Sequence, residues 1–190
     1  EQLRHEIETM GGQAIYVECD VSDADAVHHA IDTTVQRFGK LDIVFANAGI
    51  NGVWAPVDEL QPDEWDRTIA INLRGTFLTV HFAVPHLKQH GGSIIVTSSV
   101  NGTRSFAGAG ASAYSSSKAA QVAFVKMMAL ELGRHSIRCN AVCPGFVPTA
   151  IQGKTEQRHT EQIGLEVELP QGSPAVDEGA GEPEEVADVC

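Results

Sequence analysis

Tyr114 and Lys118, in the stretch AYSSSKAAQ spanning residues 113–121, are the side chains best suited to moving a proton. Four residues apart on a helix, they share one face. A free phenol titrates near ~10, and an ammonium beside it favours the charged oxygen. Such a pair can pass a proton to or from a substrate oxygen. The spacing alone recurs by chance and establishes nothing. Other pairs fare worse. His86 and His90 are also four apart, but no HExxH motif or neighbouring carboxylate supports a metal there. Cys139 and Cys143 lack a second ligand pair at zinc spacing. No metal site is expected, and Cys19, Cys139 and Cys143, in or beside apolar stretches, serve as small hydrophobes.

The elements that must carry the pair follow from apolar periodicity. Residues 1–10 end a helix with Leu3 and Ile7 on one face, stopped by Gly11-Gly12. A short strand is expected at 14–19, then a helix capped by Ser22, apolar at Val27, Ile31, Val35 and Phe38 and ended by Gly39. The nearly continuous apolar run 41–46 suits a strand buried in a parallel sheet. A helical region from Pro62 to about His90 follows, with Pro85 expected to kink or shorten its last turn. Then come a strand at 93–98, a small-residue loop at 101–112, a helix at 113–133 and a strand at 137–143. Gly and Pro are scattered through 152–183, and a new helix begins at 182. This alternation predicts an α/β fold with a doubly wound parallel sheet, one domain over 1–190.

Thirteen basic residues against 25 acidic give a net charge of -12, which disfavours nucleic acid and anionic membranes as partners. No apolar run approaches the ~18 residues of a membrane span and Glu1–Arg4 opens no signal peptide, so a cytoplasmic protein is expected. In doubly wound sheets ligands bind beyond the carboxyl ends of the strands. Asp20-Val21, Asn47-Ala48-Gly49, Ser98-Ser99 and Pro144-Gly145 all stand just after expected strands.

Together with Asn72-Leu-Arg-Gly-Thr-Phe and the run from Pro144 to Thr149, these motifs resemble the short-chain dehydrogenase/reductase family from Cys19 to Val186. The resemblance implies a Rossmann-like, three-layer α/β/α fold and hydride transfer between NAD or NADP and an alcohol/carbonyl substrate. Tyr114 is similar to the family's general acid/base, Lys118 to the lysine that assists it and holds the nicotinamide ribose. Ser99 resembles the serine that hydrogen-bonds the substrate oxygen, in preference to Ser98. Asn72 resembles the asparagine that completes a catalytic tetrad, where a bound water can link Lys118 to solvent. For the cofactor, Asp20 and Val21 resemble the adenine contacts, and Asn47, Ala48 and Gly49 the lining of its middle. Pro144, Gly145, Val147 and Thr149 resemble the segment that clamps the carboxamide. Ser99 to Tyr114 is 15 residues, slightly longer than usual, which suggests a loop insertion at Thr103–Gly110.

The resemblance also implies a substrate-binding lobe at 146–180, which holds Arg158 and His159, and a homodimer or homotetramer packed through the long helix after Tyr114. That helix is apolar around more than one face. The substrate is expected to be a small alcohol, ketone or sugar. The family fingerprint Thr-Gly-x-x-x-Gly-x-Gly is not found. The sequence is therefore expected to be an internal, incomplete part of such a domain, to fold poorly alone and to bind dinucleotide weakly. Two alternatives share the fold: a non-catalytic dinucleotide-sensing or scaffold protein, and a sugar-nucleotide epimerase or dehydratase using the same Tyr-Lys pair.

Overall fold

Runs of β-branched residues such as IVFA and GSIIVT favour strands, and the alanine- and leucine-rich run after Tyr114 favours helix. The computed structural model describes residues 2–103, 108–149, 151–164 and 181–190. In chain order its elements are α1 (Gln2–Thr9), α2 (Ala24–Phe38), β1 (Ile43–Ala46), β2 (Val53–Trp54), α3 (Pro62–Ile69), a π-helical turn (Ala70–Arg74), α4 (Gly75–Leu87), β3 (Gly92–Thr97), α5 (Ser112–Leu132), β4 (Ile137–Val142), β5 (Glu156–Gln157) and α6 (Pro183–Ala187). Short 3-10 turns join some of them.

The main sheet is parallel with order β1-β3-β4. Its register lines up Val44, Ile94 and Cys139 in one row and Ala46, Val96 and Ala141 in another. These rows face the helices and meet Val80, Ala83 and Leu87 of α4 and Val125 and Leu132 of α5 in the core. The alternate rows, Ile43-Ser93-Arg138 and Phe45-Ile95-Asn140, point the other way. There Ile43 is 64% and Phe45 49% exposed. On this face the edge strand β1 is open, while Ser93 and Ile95 of the central strand β3 are buried.

Local chemistry fixes the boundaries, with some departures from expectation. The N-cap of α2 is Asp23, not Ser22, because the Asp23 carboxylate accepts from the Asp25 and Ala26 N–H groups. Gly39 closes α2 at φ +81°, where a side chain would be strained. α3 opens with Pro62 behind a Gln61/Glu64 capping box. α4 contains Pro85 and stops at Leu87, short of His90. The expected strand at 14–19 does not form: no strand among the described residues lies beside it to share a hydrogen-bond ladder. Residues 104–107 of the suggested insertion, and residues 150 and 165–180 of the suggested lobe, lie outside the described residues.

Candidate active site

α5 runs 21 residues without proline or glycine. Tyr114, Lys118 and Gln121, at i, i+4 and i+7, therefore share one face. From it Lys118 reaches the carboxyl end of β3, where Nζ donates to the Thr97 carbonyl at 2.8 Å. The same nitrogen stands 5.7 Å from the centre of the Tyr114 ring. Lys118 is only 4% exposed. Burial pulls its ammonium from 10.5 down to about 8.

The two serines after β3 are told apart by their bonds. The Ser98 hydroxyl donates to the Lys118 carbonyl at 2.8 Å and ties β3 to α5. Ser99 opens a 3-10 turn, and its Oγ accepts from the Asn101 N–H at 3.2 Å. A hydroxyl that accepts in this way keeps its proton to donate. Gly102 ends that turn against the helix, where a Cβ would lie 2.6 to 2.8 Å from the backbone of Lys118 and Ala119.

Asn72 sits buried in the π-helical turn. Its Oδ1 accepts from the Ile50 N–H at 2.8 Å, and its Nδ2 donates to the Ile50 carbonyl at 2.9 Å and to Ser117 Oγ at 3.0 Å. One side chain thus clamps the loop that follows β1. Within that loop a Cβ on Gly49 would come 3.3 Å from Asn72 Oδ1 and 3.5 Å from Lys118 Nζ, so glycine keeps the space between amide and amine clear. Thr97 Oγ1 donates to Asn47 Oδ1 at 2.7 Å, and the Val100 N–H donates to the Pro144 carbonyl at 3.1 Å. The ends of β1, β3 and β4 are thereby joined around Lys118.

Asp20 lies at an exposed turn, where the hydroxyl and N–H of Ser22 donate to it and hold its carboxyl below the usual range. Val21 packs against α4: a Cβ on Gly75 would lie 2.9 Å from Val21 Cγ2. Val21, Asn47 and Ala48 line an open groove at the end of β1, walled by Val27 and Ile31 of α2 and Thr76 of α4. Gly145, Val147 and Thr149 continue the chain from Pro144. The Gly181 N–H donates to the Phe146 carbonyl at 2.9 Å, and Thr149 Oγ1 accepts from the Ile151 N–H at 3.4 Å. Farther on, β5 pairs in parallel with β2. Asn51 Nδ2 donates to Thr155 Oγ1 at 2.6 Å, and Arg158 donates to the Glu59 carbonyl at 2.9 Å and pairs with Glu64.

Sequence reasoning missed Thr97, Ser117 and Gln121. Thr97 and Ser117 act across elements and carry no local signature. Gln121 had one: a polar residue on the Tyr114 face inside an apolar run.

A short chain dehydrogenase family model matches residues 1–160. The chain belongs to the short-chain dehydrogenase family. It is 43% identical over 150 residues to versicolorin reductase of Emericella nidulans, a match covering 78% of this chain and 55% of that one. The chain spans about half the length of the first curated relatives it matches. A solved 3-ketoacyl-ACP reductase from Sinorhizobium meliloti superposes with a TM-score of 0.90 at 54% identity, covering 99% of this chain and 74% of that one. An alcohol dehydrogenase from Thermococcus sibiricus, complexed with 5-hydroxy-NADP, gives 0.79 at 28% identity, covering 99% and 72%. The family's Rossmann-like fold is the fold of this chain.

Proposed function

We propose that this protein is an oxidoreductase that transfers hydride between NAD or NADP and an alcohol/carbonyl substrate, with Tyr114 as the general acid/base. The observation that carries this reading is the buried Lys118, anchored on Thr97, facing the Tyr114 ring and separated from Asn72 by the gap at Gly49. A surface lysine would have no reason to bear that desolvation.

The residues present fit the adenine, nicotinamide ribose and carboxamide parts of a dinucleotide, while the glycine-rich turn that would hold its diphosphate is not found in this sequence. The groove past Val21, Asn47 and Ala48 opens at the end of β1, and the glycine gap lies beside the amine. Asp20 and Val21 would hold the adenine end, Asn47, Ala48 and Gly49 the middle, Lys118 the nicotinamide ribose, and Pro144, Gly145, Val147 and Thr149 the carboxamide side. When bound, the cofactor supplies or accepts the hydride. Tyr114 Oη donates a proton to the substrate oxygen during reduction and takes it back during oxidation. Lys118 as ammonium stabilises the negative charge that develops on the phenol oxygen. Ser99 Oγ donates to the substrate oxygen and orients it. Asn72 fixes the loop and the lysine side of the site.

The ribbon of β2 and β5, with Trp54 and the tethered Arg158, supports a substrate mouth formed by the segment beyond Pro144. Small alcohols, ketones or sugars suit such a mouth. The net charge of -12 supports the absence of a nucleic-acid partner. Four free cysteines suit the reducing cytoplasm. No helix among the described residues is long and apolar enough to cross a membrane. Exposed Phe77, Met127 and Leu130 on α4 and α5 support association with a second copy of the chain.

A panel of alcohols and ketones, followed by the absorbance of NADH and NADPH, tests the reaction. Tyr114→Phe should abolish turnover while leaving cofactor binding within about twofold, because only the hydroxyl that carries the proton is removed. Near-full activity of that variant would refute the assignment of the proton donor.

A further inference from the structure

The face of α5 that presents Tyr114 and Lys118 carries a third polar residue, Gln121, and it is fully buried. Its Nε2 donates to the main-chain carbonyl of Asn72 at 2.8 Å and to Thr76 Oγ1 at 2.7 Å. Thr76 Oγ1 in turn donates to the same carbonyl at 2.7 Å. One turn earlier on α5, Ser117 Oγ accepts from the Asn72 side chain and donates to the Tyr114 carbonyl at 2.7 Å. The helix that bears the proton donor therefore grips Asn72 at both ends, by its amide through Ser117 and by its carbonyl through Gln121.

Packing alone does not account for Gln121. Its Oε1 is buried with no hydrogen-bond partner among the described residues. A leucine or methionine would fill the space between α4 and α5 without that cost. What the glutamine adds is a donor aimed at a carbonyl inside a π-helical turn, a backbone form often found at functional sites. Asn72 then passes its position to the loop before it by its two bonds with Ile50.

We propose that Gln121 is a positioning residue: it locks the π-helical turn onto α5 and so sets the Asn47–Ile50 loop at a fixed distance from Tyr114 and Lys118. The proposal rests on the oxidoreductase reading for its effect on turnover, but not for its effect on the loop.

Gln121→Met in the full chain tests both. Deuterium uptake needs no activity: peptides covering 47–52 should exchange about tenfold faster than in the parent, while those covering β3 change little. In the hydride-transfer assay kcat should fall about tenfold with the cofactor KM within about twofold, the split expected when alignment is lost and binding kept. If the methionine variant does not fold, Thr76→Val removes one donor to the same carbonyl and should give the same signature at a smaller size. Unchanged uptake at 47–52 overturns the proposal, and so does equal acceleration in both segments, which is a plain loss of stability. A parent protein inactive on every substrate would refute the oxidoreductase reading while the uptake result still decides the role of Gln121.

Discussion

At the residue scale Lys118 carries a thermodynamic cost that can be measured. Folding moves its amine from about 10.5 to about 8 by burial. Below pH 8 both folded and unfolded chains hold the proton, and the buried charge opposes folding in full. Between about 8 and 10.5 the folded chain binds fewer protons than the unfolded one, so stability rises with pH. Above that range both are neutral and the penalty is gone. Lys118→Met lacks this limb. Urea unfolding at pH 7 and pH 10 should therefore show the parent gaining about 2 to 3 kcal/mol on the variant, at about 1.4 kcal/mol per pH unit. Parallel pH profiles would show that the amine is not buried as a cation. That Lys118 and Tyr114 lie close together was legible in the sequence, since residues four apart share a helix face. The bond from Ser98 to the Lys118 carbonyl was not legible, because it joins residues 20 apart on different elements. Gln121 was not legible as a partner of Asn72, because a separation of 49 in sequence says nothing of how α4 meets α5.

Among the elements, helices and central strands fell close to their expected places because long apolar runs, glycine stops and proline starts act locally. The stretch 14–19 failed as a strand for a non-local reason: it has the composition, but a ladder needs a neighbour. The π-helical turn was also invisible, since no residue type between Ala70 and Arg74 marks it. The turn after Ser99 offers a test of how closely elements must approach. A Cβ on Gly102 would collide with the backbone of Lys118 and Ala119, and a helix backbone cannot swing aside as a side chain can. Gly102→Ala should lower stability by about 1 to 3 kcal/mol, the usual cost of overpacking. On the proposed oxidoreductase reading it should also raise the KM for substrate more than that for cofactor, since Ser99 would be displaced. A variant with the parent's urea midpoint would mean that the turn does not rest on α5.

For the whole molecule, the same helix that faces the site inward turns an apolar surface outward. Leu130 is 78% and Met127 59% exposed on α5, and Phe77 of α4, also exposed, packs edge-on to Phe124 of α5 at 6.4 Å between ring centres. Between the two helices runs a groove lined by Val80, Val84, Phe124 and Met128 together with His81 and Glu131. A stable interface removes roughly 800 Å² per partner. Two long helices laid across a two-fold axis can bury that much, and the two-fold matches each apolar patch to its own copy. If this is the contact, a charge at its centre is doubly costly: each introduced group is desolvated and meets its own symmetry mate. Leu130→Arg should raise the dissociation constant at least about tenfold, because one buried unpaired charge outweighs the roughly 1.4 kcal/mol that a factor of ten represents. Sedimentation velocity at micromolar protein should show the parent as dimer or tetramer and the variant shifted toward monomer. Met10→Arg, equally exposed but far along the chain on the turn after α1, should leave the distribution unchanged. A parent that sediments as a monomer would refute self-association, and a Leu130→Arg variant that assembles as the parent does would place the contact elsewhere than on the apolar face of α5.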